Sequence, residues 1–201
     1  MTTKPVAAID IGSNTIKLLI VGQNGHEQPE AIAQHTLEVR ISAGIGAHGS
    51  SRLHGPAMEH GAEAVRQLVE EATRHEPAAI RVVGTSAVRD AVNRDVFAAL
   101  VKERAGVQLE VLTGSQEARL IARGASTDPA LQAVSAFNMI DLGGGSLECI
   151  RYRDHVLEQA ASLQIGAVRM TERFVDHPQH PFPGEAEAAI RSAVLEAYGN
   201  S

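Results

Sequence analysis

Apolar residues at the start of the chain fall into short runs that are separated by small polar residues. Residues 6–11 and 16–21 are two such runs, and the Gly-Ser-Asn segment at 12–14 between them predicts a β-hairpin. Residues 30–40 form a third run with imperfect alternation. The pattern predicts three consecutive antiparallel strands at one edge of a sheet.

Helical and strand patterns alternate in the next part of the chain. Apolar positions three and four residues apart predict a helix that begins at Pro56 and ends before Pro77. Asn93 is predicted to cap the next helix at its N-terminus, and Gly106 is predicted to end it. Alternation of strands with helices predicts that the rest of this sheet is parallel. The remaining predicted elements are a strand at 79–84, a loop at 85–90, a strand at 109–112 and a helix that opens with a capping box at Thr113–Gln116.

The pattern restarts after Asp128-Pro129, which suggests a domain boundary and two domains at residues 1–126 and 127–201. Further strands are predicted at 134–142, 147–152 and 156–163, and helices at 168–174 and 185–198.

An internal repeat supports the division into two related domains. Ile9–Ile20 aligns without gaps on Ile140–Arg151, which places Asp10 and Asp141 at equivalent positions 131 residues apart. Each copy reads as a strand, an Asp-x-Gly sequence, a turn of small residues and a second strand. Each copy is followed by a third strand.

The repeated turn has a chemical meaning. Glycine permits positive φ and close approach of a ligand to the backbone, and successive amides in a tight turn form a concavity that binds anions. A carboxylate beside a phosphate requires a cation between them, so Asp plus such a turn implies Mg²⁺ or a similar hard cation. Two such hairpins facing each other would hold phosphate from both sides. The alternative for a single turn is a tight hairpin with a capping Asp.

Composition excludes several classes of protein. The chain has 201 residues, 44% of them hydrophobic, and a formal net charge of −6, which argues against a nonspecific DNA binder. Only 3% of residues are aromatic, so base-stacking platforms are not expected. A single cysteine predicts a cytoplasmic location, and no apolar run is long enough to predict a membrane span.

Five segments, in order, resemble the exopolyphosphatase/guanosine pentaphosphate phosphohydrolase (Ppx/GppA) family of the actin/Hsp70/sugar-kinase superfamily. They are Ile9–Thr15, Gly84–Asp90, Thr113–Arg119, Ile140–Glu148 and Ser162–Arg169. The resemblance implies an α/β fold in which an actin-like (ribonuclease H-like) domain with a mixed five-stranded sheet precedes an incomplete second domain of the same type. It also implies a hydrolase that removes the terminal phosphate from inorganic polyphosphate or guanosine pentaphosphate (pppGpp), or that acts on the related tetraphosphate.

The resemblance assigns acidic residues to catalysis and to a metal. Glu117 corresponds to the general base that activates water, although a Glu in a first helical turn also complements the helix dipole. Asp141 and Glu148 are assigned to Mg²⁺ (or Mn²⁺) and to water positioning, with the alternative that Glu148 simply faces solvent. Asp10 is the matching carboxylate of the first domain, and a structural capping role is its alternative.

Phosphate contacts are expected from both turns and from one cation. Arg89 resembles the phosphate-contacting arginine of the family, and pairing with Asp90 is its alternative. The turn residues expected to bind phosphate through their amides are Gly12, Ser13 and Asn14 in the first copy and Gly143, Gly144, Gly145 and Ser146 in the second.

Departures from the family pattern keep other functions open. Leu147 stands where the family often has Thr, and the chain is shorter than the two complete domains of the family. A shortened second domain would expose apolar sheet surface, so a homodimer is a possible arrangement. The alternatives to hydrolysis are a regulatory module that binds phosphate or nucleotide without turnover and, less favoured, an actin-like kinase.

Overall fold

A computed structural model describes residues 4–22, 29–43, 45, 51–154, 156–175, 182 and 184–199. The chain packs into two compact units. Of the described residues, the first unit contains those up to 43 and residues 51–111, and the second contains Ile45 and the residues from Leu112 onwards. Each unit is built around its own sheet.

The first unit contains the predicted mixed sheet of five strands. The strand order is β3-β2-β1-β4-β5, with antiparallel pairing of β1 with β2 and of β2 with β3. β4 lies parallel to β1, and β5 lies parallel to β4, which confirms the predicted antiparallel edge on an otherwise parallel sheet. The strands are β1 (Val6–Ile11), β2 (Thr15–Gly22), β3 (Glu30–Glu38), β4 (Ala79–Gly84) and β5 (Leu109–Val111).

Alternation along β1 and β2 creates one buried and one open face. Ile9, Ile11 and Leu18 are fully buried, whereas Val6 and Leu19 on the opposite face are exposed. Helix α1 (Gly55–Thr73) packs on the buried face, and helix α3 (Arg94–Ala105) packs against α1. The core of this unit therefore lies on one side of its sheet.

A short helix replaces the loop predicted at residues 85–90. This is helix α2 (Ser86–Asp90). In its first turn, the amide of Arg89 donates to the carbonyl of Thr85 at 2.8 Å. Val88 in this turn is fully buried, and a Cβ at Gly84 would lie 3.1 Å from it. Tight packing of Val88 on the end of β4 stabilises a turn that is too short for a periodic signal.

Asn93 precedes α3, but its predicted capping hydrogen bond is absent. Its Oδ1 instead accepts from the amide of Leu53 at 2.9 Å, and its Nδ2 donates to the Leu53 carbonyl at 3.0 Å. The side chain thus pairs with backbone 40 residues away instead of with its own helix. Gly106 ends α3 with a φ of 70°, as predicted.

The second unit contains an antiparallel sheet in the order β6-β7-β8. Its strands are β6 (Ala136–Leu142), β7 (Leu147–Arg153) and β8 (Val156–Leu163). Its helices are α4 (Gly114–Ser126), α5 (Pro129–Gln132), α6 (Ala167–Phe174) and α7 (Gly184–Gly199). The predicted second three-stranded meander is confirmed.

Helix α4 follows β5 in sequence but packs on the second sheet. Its buried Ala118 and Ala122 contact Ile150 of β7. The compact units consequently divide before α4, whereas the sequence pattern places the domain boundary at residues 126 and 127. The predicted capping box is confirmed, because Thr113 Oγ1 accepts from the Gln116 amide at 3.2 Å and Gln116 Oε1 accepts from the Thr113 amide at 2.8 Å.

Apolar side chains also remain exposed on the second sheet. Ile140 and Leu142 of β6 are 65% and 58% exposed. A homodimer that covers them stays a prediction. Every helix in the described part of the chain is too short or too polar to span a bilayer.

We expect the Asn93→Ala substitution to lower the free energy of unfolding by about 2–3 kcal/mol. The substitution removes two buried hydrogen bonds and leaves the backbone groups of Leu53 without these partners. Urea unfolding followed by circular dichroism would measure the change. Val92→Ala is a suitable control, because the neighbouring Val92 is 64% exposed and its truncation is expected to change stability by less than about 0.5 kcal/mol. Equal midpoints for the two variants would contradict this role of Asn93.

Candidate functional site

The two repeated turns close with the same hydrogen bond. The amide of Gly12 donates to the carbonyl of Thr15 at 3.0 Å, and the amide of Gly143 donates to the carbonyl of Ser146 at 3.0 Å. Their positions correspond under the 131-residue offset between Asp10 and Asp141. The repeat found in the sequence is therefore also a repeat of backbone hydrogen bonding.

In the first unit, the segment that follows β3 binds the carbonyl groups of the turn. The amides of Val39 and Arg40 donate to the carbonyl of Asn14 at 3.0 and 2.8 Å. The amide and hydroxyl of Ser42 donate to the carbonyl of Ser13 at 3.2 and 3.1 Å. Both carbonyls are thus directed at this segment.

In the second unit, the segment that follows β8 binds three successive turn carbonyls. The amide of Ala167 donates to Gly143 at 2.9 Å, and the amide of Arg169 donates to Gly144 at 3.0 Å. The Nε of Arg169 donates to the Gly145 carbonyl at 2.7 Å. All three donors lie in the first turn of α6.

These hydrogen bonds fix the direction of the turn amides. In a planar trans peptide, the carbonyl of one residue and the amide of the next point in opposite directions. The amides of Gly144, Gly145 and Ser146 therefore point away from α6. In the first unit the same argument directs the amides of Asn14 and Thr15 away from the segment that follows β3. Successive amides that point to one side are the donors of an anion site.

Close packing explains why glycine is required next to the second turn. A Cβ on Gly166 would lie 2.4 Å from the carbonyl carbon of Gly145 and 2.4 Å from the nitrogen of Ser146. Positive φ is not the reason for the turn glycines, because among the described glycines only Gly106 has it. Of the two properties of glycine, close approach is therefore the one that this part of the structure uses.

Two carboxylates occupy directly opposite positions at the end of the second hairpin. Asp141 of β6 pairs in register with Glu148 of β7, so both side chains lie on the same face of the sheet. Like charges at such positions repel each other unless a cation or hydrogen bonds intervene. Glu148 is 2% exposed, and its Oε1 accepts from the Ser162 hydroxyl at 2.7 Å. The alternative that Glu148 faces solvent is therefore wrong.

Helix α4 covers this same face of the second sheet. Ile150, which α4 contacts, lies two residues beyond Glu148 on β7, and a Cβ on Gly114 would lie 2.7 Å from the Cβ of Ser162. Glu117 is half-buried in the first turn of this helix. The proposed base and the two opposed carboxylates thus belong to one compact unit.

The first unit has a different charge arrangement at the equivalent positions. Asp10 pairs in register with Lys17, and both residues are exposed. Opposite charges at facing positions attract each other, so the electrostatic requirement for a cation is weaker at Asp10 than at Asp141. The metal role of Asp10 stays a prediction.

Arg89 lies in α2 of the first unit with its side chain only 14% exposed. Its Nε lies 3.6 Å from Oδ1 of Asp90, which is the pairing that the sequence left open. Its backbone carbonyl accepts from Nη1 of Arg94 at 3.1 Å. Contact with phosphate stays a prediction for this residue.

Sequence reasoning missed the residues that position the site. Ser162 and Arg169 both lie in the segment that carries the family resemblance, yet no role follows for them from residue type alone. Ser42 has no sequence signal, because the carbonyl that its hydroxyl binds, that of Ser13, lies 29 residues away. For Ser162 and Arg169, the available signal was that both lie in the Ser162–Arg169 segment, one of the five segments that resemble the family.

Comparison with known sequences finds one family and named relatives. The model of the Ppx/GppA phosphatase family matches residues 19–199. Exopolyphosphatase 2 of Mycobacterium tuberculosis is 38% identical over 199 residues, which cover 95% of this chain and 61% of that protein. The chain thus spans about three fifths of the length of the curated relatives that it matches.

Solved structures of similar fold agree with the sequence comparison. An exopolyphosphatase-like protein aligns with a TM-score of 0.84 at 30% identity, over 97% of this chain and 61% of that one. An exopolyphosphatase from Cytophaga hutchinsonii aligns with a TM-score of 0.82 at 26% identity, over 96% and 60% of the two chains. A Ppx/GppA family member from Aquifex aeolicus aligns with a TM-score of 0.72 at 25% identity, over 92% and 58%.

The predicted fold class is confirmed: an actin-like domain with a mixed five-stranded sheet, followed by part of a second domain. The family model extends from the second strand of the first hairpin to the end of α7 and includes the whole of the second turn. This chain therefore belongs to the Ppx/GppA phosphatase family.

Proposed function

We propose that this protein hydrolyses the terminal phosphoanhydride bond of inorganic polyphosphate. The observation that carries the proposal is the pair of opposed carboxylates, Asp141 and Glu148, at the end of the hairpin whose turn directs three amides to one side. Family membership and the exopolyphosphatase name of the Mycobacterium tuberculosis relative support it.

The residues present fit a magnesium ion. Among the described residues no group of three His, Cys, Asp or Glu side chains forms a complete metal cage. Mg²⁺ commonly binds through only one or two carboxylates and completes its shell with water and phosphate oxygens. Asp141 and Glu148 would hold it, and the Ser162 hydroxyl orients Glu148. When bound, the ion would neutralise charge on the phosphoryl oxygens, and Mn²⁺ would serve the same purpose.

The turn amides bind the terminal phosphate in this proposal. The amides of Gly144, Gly145 and Ser146 donate to phosphate oxygens, with Gly143 closing the turn. Gly12, Ser13 and Asn14 form the corresponding turn of the first unit, which is proposed to bind phosphate through the outward amides of Asn14 and Thr15. Because these donors are backbone groups, a net charge of −6 does not prevent binding of a polyanion.

Glu117 acts as the general base. Its carboxylate accepts a proton from water while the water oxygen forms a bond to the terminal phosphorus. The bridging P–O bond breaks, and its electron pair leaves with the shortened polyphosphate. In the first unit, Arg89 is proposed to contact phosphate, and Asp10 is proposed to order water or a cation near the first turn.

Polyphosphate is favoured over pppGpp as substrate because it requires no base-recognition surface in a chain with 3% aromatic residues. Guanosine pentaphosphate is the second candidate and would use the same phosphate contacts. A non-catalytic phosphate-binding module remains the alternative that the following experiment decides. Family membership gives no support to an actin-like kinase.

The Glu117→Gln variant is expected to release phosphate from medium-chain polyphosphate ~10²–10⁴-fold more slowly than the wild type. The amide preserves the shape of the side chain but cannot accept the proton. Phosphate release with Mg²⁺ would be measured beside polyphosphate binding, which is expected to persist. Glu103→Gln is the matched control, since Glu103 is an exposed carboxylate on α3 of the first unit.

Three results would each change the assignment. Equal rates for the wild type and the Glu117→Gln variant would remove Glu117 as the base. If the wild type binds polyphosphate but releases no phosphate from it, the protein is a non-catalytic binding module and not a hydrolase. Faster turnover of pppGpp than of polyphosphate would make pppGpp the preferred substrate.

The Ser162→Ala variant is expected to need ~10-fold more Mg²⁺ for half-maximal activity, because the hydroxyl that orients Glu148 is lost. Rates at saturating Mg²⁺ should remain near those of the wild type. Titration of activity with Mg²⁺ would measure the shift. Ser126→Ala is the control, because the Ser126 hydroxyl donates only to the Arg123 carbonyl on α4. An unchanged Mg²⁺ dependence in the Ser162→Ala variant would argue against a metal at Glu148.

A further inference from the structure

The Gly143–Gly145 run has little intrinsic preference for the direction of its peptide planes. Glycine has no Cβ to restrict φ and ψ, and ordering a glycine segment costs more conformational entropy than ordering any other residue type. An anion site nevertheless needs the amides of this turn to face one way. Some other part of the chain must therefore supply the directing force.

Helix α6 supplies that force through hydrogen bonds to the turn carbonyls. Two of the three are backbone bonds, from the amides of Ala167 and Arg169, and no substitution at these positions other than proline would remove them. The third, from Arg169 Nε to Gly145, is the only one that depends on a side chain. It controls the peptide plane that also carries the amide of Ser146.

We propose that Arg169 is a positioning residue that sets the direction of the Gly145–Ser146 peptide and thereby the phosphate affinity of the second turn. The proposal rests on the proposed function in so far as the turn binds phosphate. The half-buried guanidinium donates a charge-assisted bond at 2.7 Å, which is stronger than a bond between neutral groups. Because Nε is directed at the Gly145 carbonyl, this group acts on phosphate through the peptide that it holds.

The first unit shows what Arg169 replaces. There the equivalent carbonyl, that of Asn14, is held by two backbone amides, those of Val39 and Arg40. Arg40 reaches this position with a φ of 52°, in the left-handed region that non-glycine residues rarely adopt. The second unit thus binds this carbonyl with a side-chain donor, whereas the first unit binds it with two backbone amides. At this carbonyl, only the second turn can be altered by replacing one side chain.

Two amides at the N-terminus of α6 bind the second turn. The first-turn amides of Ala167 and Arg169 are already used by Gly143 and Gly144. Gly166 also lies in van der Waals contact with the turn, since a Cβ there would overlap the backbone of Gly144–Ser146. Through these contacts the helix determines the direction of the turn amides, which are the proposed phosphate donors.

Two substitutions separate the position of the donor from its charge. In Arg169→Gln, the side-chain NH₂ occupies the place of Nε, one bond beyond Cδ, so a neutral donor to Gly145 is retained. In Arg169→Met, a methyl group of similar reach occupies that place and donates nothing. The two variants differ mainly in this one hydrogen bond.

The first measurement needs no ligand. In ¹⁵N relaxation experiments on the full chain, we expect backbone order parameters of ~0.85 for Gly145 and Ser146 in the wild type and in Arg169→Gln, and below ~0.6 in Arg169→Met.

The second measurement is the dissociation constant of inorganic triphosphate in the presence of Mg²⁺. We expect it to rise about tenfold in Arg169→Met and at most about threefold in Arg169→Gln. In polyphosphate hydrolysis the change should fall on KM, with kcat retained, because Glu117 is untouched.

The outcomes distinguish this proposal from the proposed function. Equal order parameters and equal triphosphate affinity in Arg169→Met and the wild type would overturn the positioning role while leaving the hydrolase intact. Equal losses in both variants would assign the effect to charge and also overturn it. Failure of the wild type to bind triphosphate would overturn the proposed function, and the order parameters would still decide the role of Arg169. A urea unfolding midpoint shared by the two variants would exclude general destabilisation as the cause of a difference between them.

Discussion

Hydrogen bonds to the carbonyl groups of the two turns determine where this chain presents amides to an anion. Each turn is closed by one bond across the hairpin, and its carbonyls are bound by the segment that follows the third strand of its own unit. Planarity of the peptide then leaves the opposite side to the amides. The direction in which the turn amides point is thus set by tertiary contacts, although the turn itself is made of adjacent residues.

The two copies of the repeat use this geometry with different charges. Asp10 faces the opposite charge of Lys17 in the first hairpin, whereas Asp141 faces the like charge of Glu148 in the second. Burial of Glu148 makes a second negative charge nearby unfavourable unless a cation or donor compensates it. A duplicated backbone can therefore acquire distinct chemistry through one cross-strand position, here the position occupied by Lys17 in one copy and Glu148 in the other.

Local features of this fold were predictable from the sequence, and long-range ones were not. The hairpins, the repeat and the capping box at Thr113–Gln116 depend on neighbouring residues, and the structure confirms them. Asn93 resembled a cap because Asn often caps helices, but its partner, Leu53, lies 40 residues away. The partners of Glu148 and of the Gly145 carbonyl lie 14 and 24 residues away, and residue type alone does not identify them.

Helix α4 follows the last strand of the first sheet in sequence, yet its apolar face belongs to the second sheet. A shortened chain that ended after α4 would keep the helix but remove the surface that buries Ala118 and Ala122. A chain that began after α4 would uncover Ile150 and lose Glu117. For separate expression of either unit, a division between Val111 and Leu112 keeps α4 with the sheet that buries its apolar face, whereas a division between residues 126 and 127 does not.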